Sequence, residues 1–322
     1  MAGNKYKTGS KLVHDISGES EEKVHQDVAA SQPRFDSLSV TLQNPGLSDR
    51  DFHRLSAFVK ANVGISLSDV KKTMLQARLQ KRLRALKLRN YFDYCEYLFS
   101  PEGMEYEIAS FINVVTTNKT DFFREPHHFG YLVNNAIPFL QDNGLIRRHF
   151  LNVWSAACSS GMEAYTLAMV LAEYEATDHG FSWSILGTDI SSNVLEKASR
   201  AIYDEEVIEP VPMALRKKYL LRSSDRSKRL VKIAPEISSR VEFQELNFMK
   251  EHYELSQTFE IIFCRNAVIY FDRPTVFEIL KKITNYLVPG GYLFLGHSES
   301  LNGFPLPYNA VGPTIYQKRM RE

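Results

Sequence analysis

From about residue 149 onward, short apolar runs alternate with longer segments of helical periodicity, and that rhythm leaves few folds open. Strands are expected at 152–156, 184–188, 241–245, 261–264 and 292–296, with helices at 162–175, 192–201 and 274–287. Strand, crossover helix, strand implies a mostly parallel sheet covered on both faces. The expected class is α/β, with a Rossmann-like sheet. Residues 216–240 break the rhythm with two short strand-like runs around a polar turn, read as an inserted β-hairpin subdomain.

Upstream the periodicity is helical. Residues 1–46 are polar, poor in large apolar side chains and closed by Pro45-Gly46, which reads as a flexible tail. A small helical domain is expected over 47–115. Ser48 and Ser68 are candidate N-caps, Gly64 a stop and Pro101 a first-turn proline. The third unit, 116–322, carries the sheet.

The bulk numbers exclude several function classes. A net charge of +1 gives no global pull toward nucleic acid or membrane. The three cysteines stand apart without CxxC spacing, against a disulfide framework or a zinc site. His127-His128 are adjacent, which does not put two ligands on one helix face. No apolar run reaches the length of a membrane span, and the N-terminus lacks a signal-peptide apolar core, so the cytoplasm is expected.

In a doubly wound sheet, ligands sit beyond the carboxyl ends of the strands. After the first strand come Ala157-Cys158-Ser159-Ser160-Gly161 and then Glu163, small residues that let a ligand approach the backbone. The stretch spells neither GxGxxG nor a P-loop, so a plain tight turn also accounts for it. After the second strand stands Asp189, 28 residues past Gly161, placed to take ribose hydroxyls or to cap the next helix. Asn247-Phe248 follow the third strand, suited to the edge and face of an adenine. Arg265, Asn266 and Tyr270 follow the fourth. Two of these residues are acids. The set fits a nucleoside with positive charge and no phosphate, as in S-adenosylmethionine.

The stretches "TTNKTDFFREPHHF" at 116–129, "WSAACSSGMEAYTLAM" at 154–169, "GTDIS", "ELNF", "IIFCRNAVIYFD" and "PGGYLFLGHSES" resemble the CheR family of chemotaxis receptor methyltransferases. The similarity runs from about residue 47 to the C-terminus. It implies a class I methyltransferase sheet and an enzyme that methylates receptor glutamates, using S-adenosylmethionine and releasing S-adenosylhomocysteine. The resemblance carries cofactor contact onto Asn118, Thr120, Arg124, Glu163, Asp189, Asn247, Phe248, Arg265 and Asn266, and places Arg124 and Tyr270 near the transferred methyl. The chain reads Gly161-Met162-Glu163-Ala164 where the family commonly has Gly-Glu-Glu-Pro, so one acid of two is kept. Its hairpin loop, "RSSDRSKR", lacks the glycines of members that dock a receptor's C-terminal peptide, so no such tether is expected. The implied partner is the cytoplasmic helical domain of methyl-accepting chemoreceptors, met by a monomer, with no nucleic acid and no membrane insertion.

The segment "KKTMLQARLQKRLRALKLR" holds eight basic residues and no acid. On one long helix, Lys71, Arg78, Arg82 and Arg89 would share a face beside a stripe of Leu75, Leu79, Leu83 and Leu86. The basic stripe is a candidate substrate contact or a solvated face. Two rivals remain. A nucleic-acid methylase usually shows [DN]PP[YF] after the fourth strand, where this chain has "RNAVIYF". A methyltransferase-like domain could instead sense the cofactor or scaffold partners.

Overall fold

The computed structural model describes residues 46–146 and 150–320. Apart from Gly46, the expected tail lies outside the described residues.

Helices α1 (Asp49–Val63), α2 (Lys72–Ala85), α3 (Tyr91–Leu98), α4 (Pro101–Tyr106) and α5 (Ile108–Val115) come first. Ser48 caps α1 as expected, its hydroxyl accepting from Asp51 N. Gly64 ends it at φ +79°, a conformation that suits glycine. Leu55 and Val59 of α1 bury against Leu75, Leu79 and Leu83 of α2 and Phe111 of α5. Two expectations fail here. Ser68 starts only a 3-10 turn, Asp69–Lys71, and makes no side-chain cap. The stretch from Pro101 breaks into two helices at Glu107, whose side chain turns inward and is 2% exposed.

The main sheet has seven strands in the order β6-β2-β1-β7-β8-β10-β9. They are β1 (Phe150–Ala156), β2 (Ser182–Asp189), β6 (Val241–Glu245), β7 (Phe259–Cys264), β8 (Leu287–Leu295), β9 (Tyr308–Gly312) and β10 (Ile315–Lys318). The first five pair in parallel, while β10 runs antiparallel to β8 and β9. All of β7 is buried, as both-face cover requires. Leu151 and Val153 face one core and Trp154 and Ala156 the other, the alternation of a strand. The chain lays β2 and β6 on one side of β1, then crosses to β7 and β8 on the other. The strand order therefore reverses between β1 and β7, where open sheets bind ligands.

The hairpin is part of a separate three-stranded sheet. Strands β4 (Leu220–Arg222) and β5 (Leu230–Ile233) pair antiparallel, and β3 (Ile202–Asp204) adds to the other edge of β5. The sequence reading missed β3, β9 and β10. β3 has only three residues, and β9 and β10 are short with a register shift at Ile315/Tyr316. β8 begins earlier than expected, because Gly290 at φ +80° lets the strand run through Pro-Gly-Gly instead of stopping there.

Candidate functional site

The ends of β1, β2, β6 and β7 open into one cleft of about 890 Å³, counting its mouth. After β1 the backbone folds back on itself, with Ala157, Ser159 and Gly161 all left-handed at φ +61°, +51° and +83°. Gly161 is required on two counts. A Cβ there would also lie 2.8 Å from Ala198 Cβ. The tight loop feeds the 16-residue helix Met162–Thr177 and aims Ser159 N at the next strand's acid.

That acid is Asp189, 7% exposed at the end of β2. Its Oδ2 accepts from Ser159 N at 2.9 Å and its Oδ1 from Ser191 N at 3.0 Å. Burial raises its carboxyl above the ordinary value, and the Ser191 and Ser159 N–H bonds only partly pull it back. The capping alternative does not describe it, since Ser191 occupies the N-cap of helix Ser192–Arg200. After β6, Asn247 donates to Asn62 O of the helical unit at 2.8 Å and accepts from Met249 N at 2.9 Å. Phe248, Ile190, Leu246 and Ile65 give the cleft apolar walls.

Glu163 and Arg265 form a buried ion pair. Arg265 Nε lies 2.7 Å from Glu163 Oε2, and Ser155 Oγ donates to Glu163 Oε1 at 2.7 Å. Arg265 Nη1 also donates to Arg124 O at 2.7 Å and to His128 Nδ1 at 3.2 Å. His128 is fully buried. Burial first, then the Arg265 charge, pushes it down to about 3. It is therefore neutral near pH 7, with Nδ1 as acceptor and Nε2–H facing Thr314 Oγ1 at 3.0 Å. This corrects the charge count drawn from sequence. Of the two acids, Glu163 is already neutralised, and Asp189 is the one with no cation in its shell among the described residues. Arg265 lines the cleft, but its Nε and Nη1 serve the protein's own groups.

Arg124 sits on a turn flanked by Phe123 at φ +53° and Glu125 at φ +56°. Phe123 N on Thr166 Oγ1 and Arg265 on Arg124 O hold that turn, while among the described residues the Arg124 guanidinium makes only a 3.4 Å bond to Lys119 O. Asn118, Thr120, Arg124, Glu163, Asp189, Asn247, Phe248, Arg265, Asn266 and Tyr270 all line this cleft. Sequence reasoning missed Val63 and Ile65, which the helical unit contributes, and Lys119. Apolar wall residues carry no motif, and only the docking of the two units reveals them.

The basic stripe does not survive as one face. Helix α2 ends at Ala85, so Arg89 lies beyond it, and Lys71 belongs to the 3-10 turn before it. Arg82 makes a two-point bond to Glu107, Nε at 2.7 Å and Nη2 at 2.6 Å. Arg78 Nη1 donates to the carbonyls of Val114, Val115 and Thr116, closing the last turn of α5. Arg78 Nη2 reaches Thr117 Oγ1 at 3.2 Å, so this arginine also holds the strand of chain that enters the cleft. Lys71 also approaches the cleft, its Nζ 5.7 Å from the Tyr270 ring centroid.

A roomier cleft, about 2000 Å³ by the same measure, opens at the opposite ends of the strands. Its Lys282 is spent on the carbonyls of Phe248 and Lys250, and none of the predicted residues lines it. No helix among the described residues is long and apolar enough to cross a membrane, and no described group of His, Cys, Asp and Glu could hold a metal ion.

Residues 50–116 match the all-alpha domain of CheR methyltransferases and residues 118–316 their SAM binding domain. The chain is 38% identical to the chemotaxis protein methyltransferase of Escherichia coli K12, over 84% of this chain and 91% of that one. It is 37% identical to its counterpart in Borreliella burgdorferi, over 85% of this chain and 96% of that one. The buried acid ending β2 and the apolar walls around it suit an adenosine ligand, and the cofactor is S-adenosylmethionine. The chain belongs to the CheR methyltransferase family.

Proposed function

We propose that the chain esterifies glutamate side chains of methyl-accepting chemoreceptors in the cytoplasm, giving glutamyl methyl esters and S-adenosylhomocysteine. One observation carries the reading: the Arg124 guanidinium, held by a long 3.4 Å bond to Lys119 O, and the Tyr270 ring border the cleft that takes the methyl donor. A glutamate has a pKa near ~4.3 and arrives ionised, so the site needs no general base. S-adenosylmethionine supplies, when bound, a sulfonium-activated methyl that a carboxylate oxygen takes while the C–S electron pair stays on sulfur.

The chain's own task is placement. Asp189 presents lone pairs to the ribose hydroxyls, Asn247 its amide to the base edge, and Phe248 with Ile190 the faces of the base. Arg124 orients a carboxylate, and Tyr270 walls the approach line. Alignment of this kind is worth up to about 7–11 kcal/mol of barrier. Arg78 and Arg82 support the helical unit in this reading, and Lys71 and the exposed Arg89 are the residues of the four left to meet the receptor.

The test is transfer of labelled methyl to receptor cytoplasmic fragments, followed by base-released methanol to identify an ester. Arg124→Ala is expected to lose most of the activity while Tyr270→Phe keeps part. Binding of S-adenosylmethionine without turnover on any receptor fragment would overturn the reading in favour of a cofactor sensor.

A further inference from the structure

Glu299 is 5% exposed, stands in a turn just past the end of β8, and belongs to no part of the cleft's lining. Its carboxylate is satisfied by backbone alone. Oε2 accepts from Asn266 N at 2.8 Å and Gly296 N at 2.7 Å, and Oε1 from Val268 N at 2.8 Å. Burial raises this carboxyl, N–H bonds from Gly296, Asn266, Val268 and Ile269 pull it back, and no cation contributes. A buried anion without a counter-cation is costly, so the segment it gathers must have few other ways to satisfy its N–H groups.

That segment is the loop after β7. It holds Asn266 in the left-handed region at φ +58° and runs through the turn Val268–Tyr270 into the cleft. Among the described residues the Asn266 side chain makes only a long contact, 3.5 Å to Glu125 Oε1, so the loop's shape rests on its backbone bonds. Glu299 bonds two N–H groups of it from behind, Asn266 and Val268, and ties them to Gly296 at the end of β8. The fit is close on that side, since a Cβ on Gly296 would lie 2.5 Å from Asn266 Nδ2.

We infer that Glu299 is a positioning residue for methyl transfer, an anionic staple that fixes Asn266 against the methyl donor and Tyr270 at the approach line. The inference rests on the proposed reaction for its kinetic readout. A glutamine cannot replace the carboxylate. Its oxygen accepts, but its amide points N–H groups at backbone N–H groups, and at least one bond becomes a repulsion. The loop then shifts while the fold around it stands.

The experiment is a double-mutant cycle on the full chain with receptor fragments at saturating S-adenosylmethionine. Alone, Glu299→Gln should lower kcat about a hundredfold, the effect of a misplacement near 1 Å, with the receptor KM little changed. In a Tyr270→Ala background only the part of the loss that runs through Asn266 remains, and the same change should cost less than about tenfold, the signature of coupled sites. Equal losses in both backgrounds would overturn the inference. Should Glu299→Gln not yield folded protein, Gly296→Ala presses on the same loop and must show the same coupling. If the wild-type chain methylates no receptor fragment, the proposed reaction fails separately. The loop is then read by calorimetry with S-adenosylhomocysteine, where Glu299→Gln should bind about tenfold more weakly, a shift set by 1.4 kcal/mol per tenfold. Unchanged affinity would refute the staple.

Discussion

Replacing Arg82 by alanine should melt the protein earlier while leaving its encounter with the receptor intact. Glu107 is 2% exposed and receives two N–H bonds from Arg82, plus the Tyr94 hydroxyl at 3.1 Å. Taking away one partner of a buried pair costs about 3–5 kcal/mol, because the other charge is left without compensation. Here Arg82 keeps a quarter of its side chain in solvent and Tyr94 stays bonded, which brings the expected cost to about 2–3 kcal/mol within that framework. At about 2–4 °C per kcal/mol for a chain of this size, Tm should fall by about 4–12 °C. The assay is thermal unfolding by far-UV circular dichroism, paired with the receptor KM measured below the transition. Arg82→Met combined with Glu107→Gln removes both charges, keeps an acceptor for Tyr94 and should recover most of the loss. An unchanged Tm in Arg82→Ala with a raised KM would refute the reasoning and return Arg82 to the receptor-facing surface.

Other outcomes follow from the cleft. Asp189→Asn should weaken cofactor binding about tenfold to a hundredfold by calorimetry, the loss of hydrogen bonds to a charged acceptor. In the wild type, affinity should fall on acidification through a pKa lying above the ordinary 3.8, since protonation removes that acceptor, and Asp189→Asn should be flat over the same range. For the ligand-free protein the sign reverses. A carboxyl with a raised folded pKa favours the fold while protonated, below its unfolded value, and that contribution is lost as pH rises through the folded one. Gly161→Ala meets both a left-handed φ of +83° and Ala198 Cβ at 2.8 Å. It should lower stability by about 1–3 kcal/mol in denaturant titration, and an unshifted midpoint would show that the loop has room.

The parts of this protein that local chemistry dictates were legible in its sequence. Ser48 and Gly64 mark the ends of α1 because capping is decided within four residues of the terminus. The polar residues after four strands could be gathered at one cleft because side-chain alternation and parallel order fix where strand ends point. What depended on long-range pairing was hidden. Arg82 looked like one more surface charge until Glu107, 25 residues on, turned inward to meet it. Glu163 looked like a free acid until Arg265, 102 residues away, lay against it. The stripe on α2 assumed an unbroken helix, and the chain leaves the helical path at Leu86, with Lys87 at φ +56°.

Val63 and Ile65 of the helical unit and Ala157 of the sheet line the same space, and Asn247 is bonded to Asn62 across the join. A truncation that keeps only the segment carrying the sheet would inherit half a seat for the methyl donor. Conversely, a donor that settles there glues the two segments together, so both should resist heat as one body in its presence. The two family segments are then a single working part, and exchange of either between relatives succeeds only when the seam is exchanged with it.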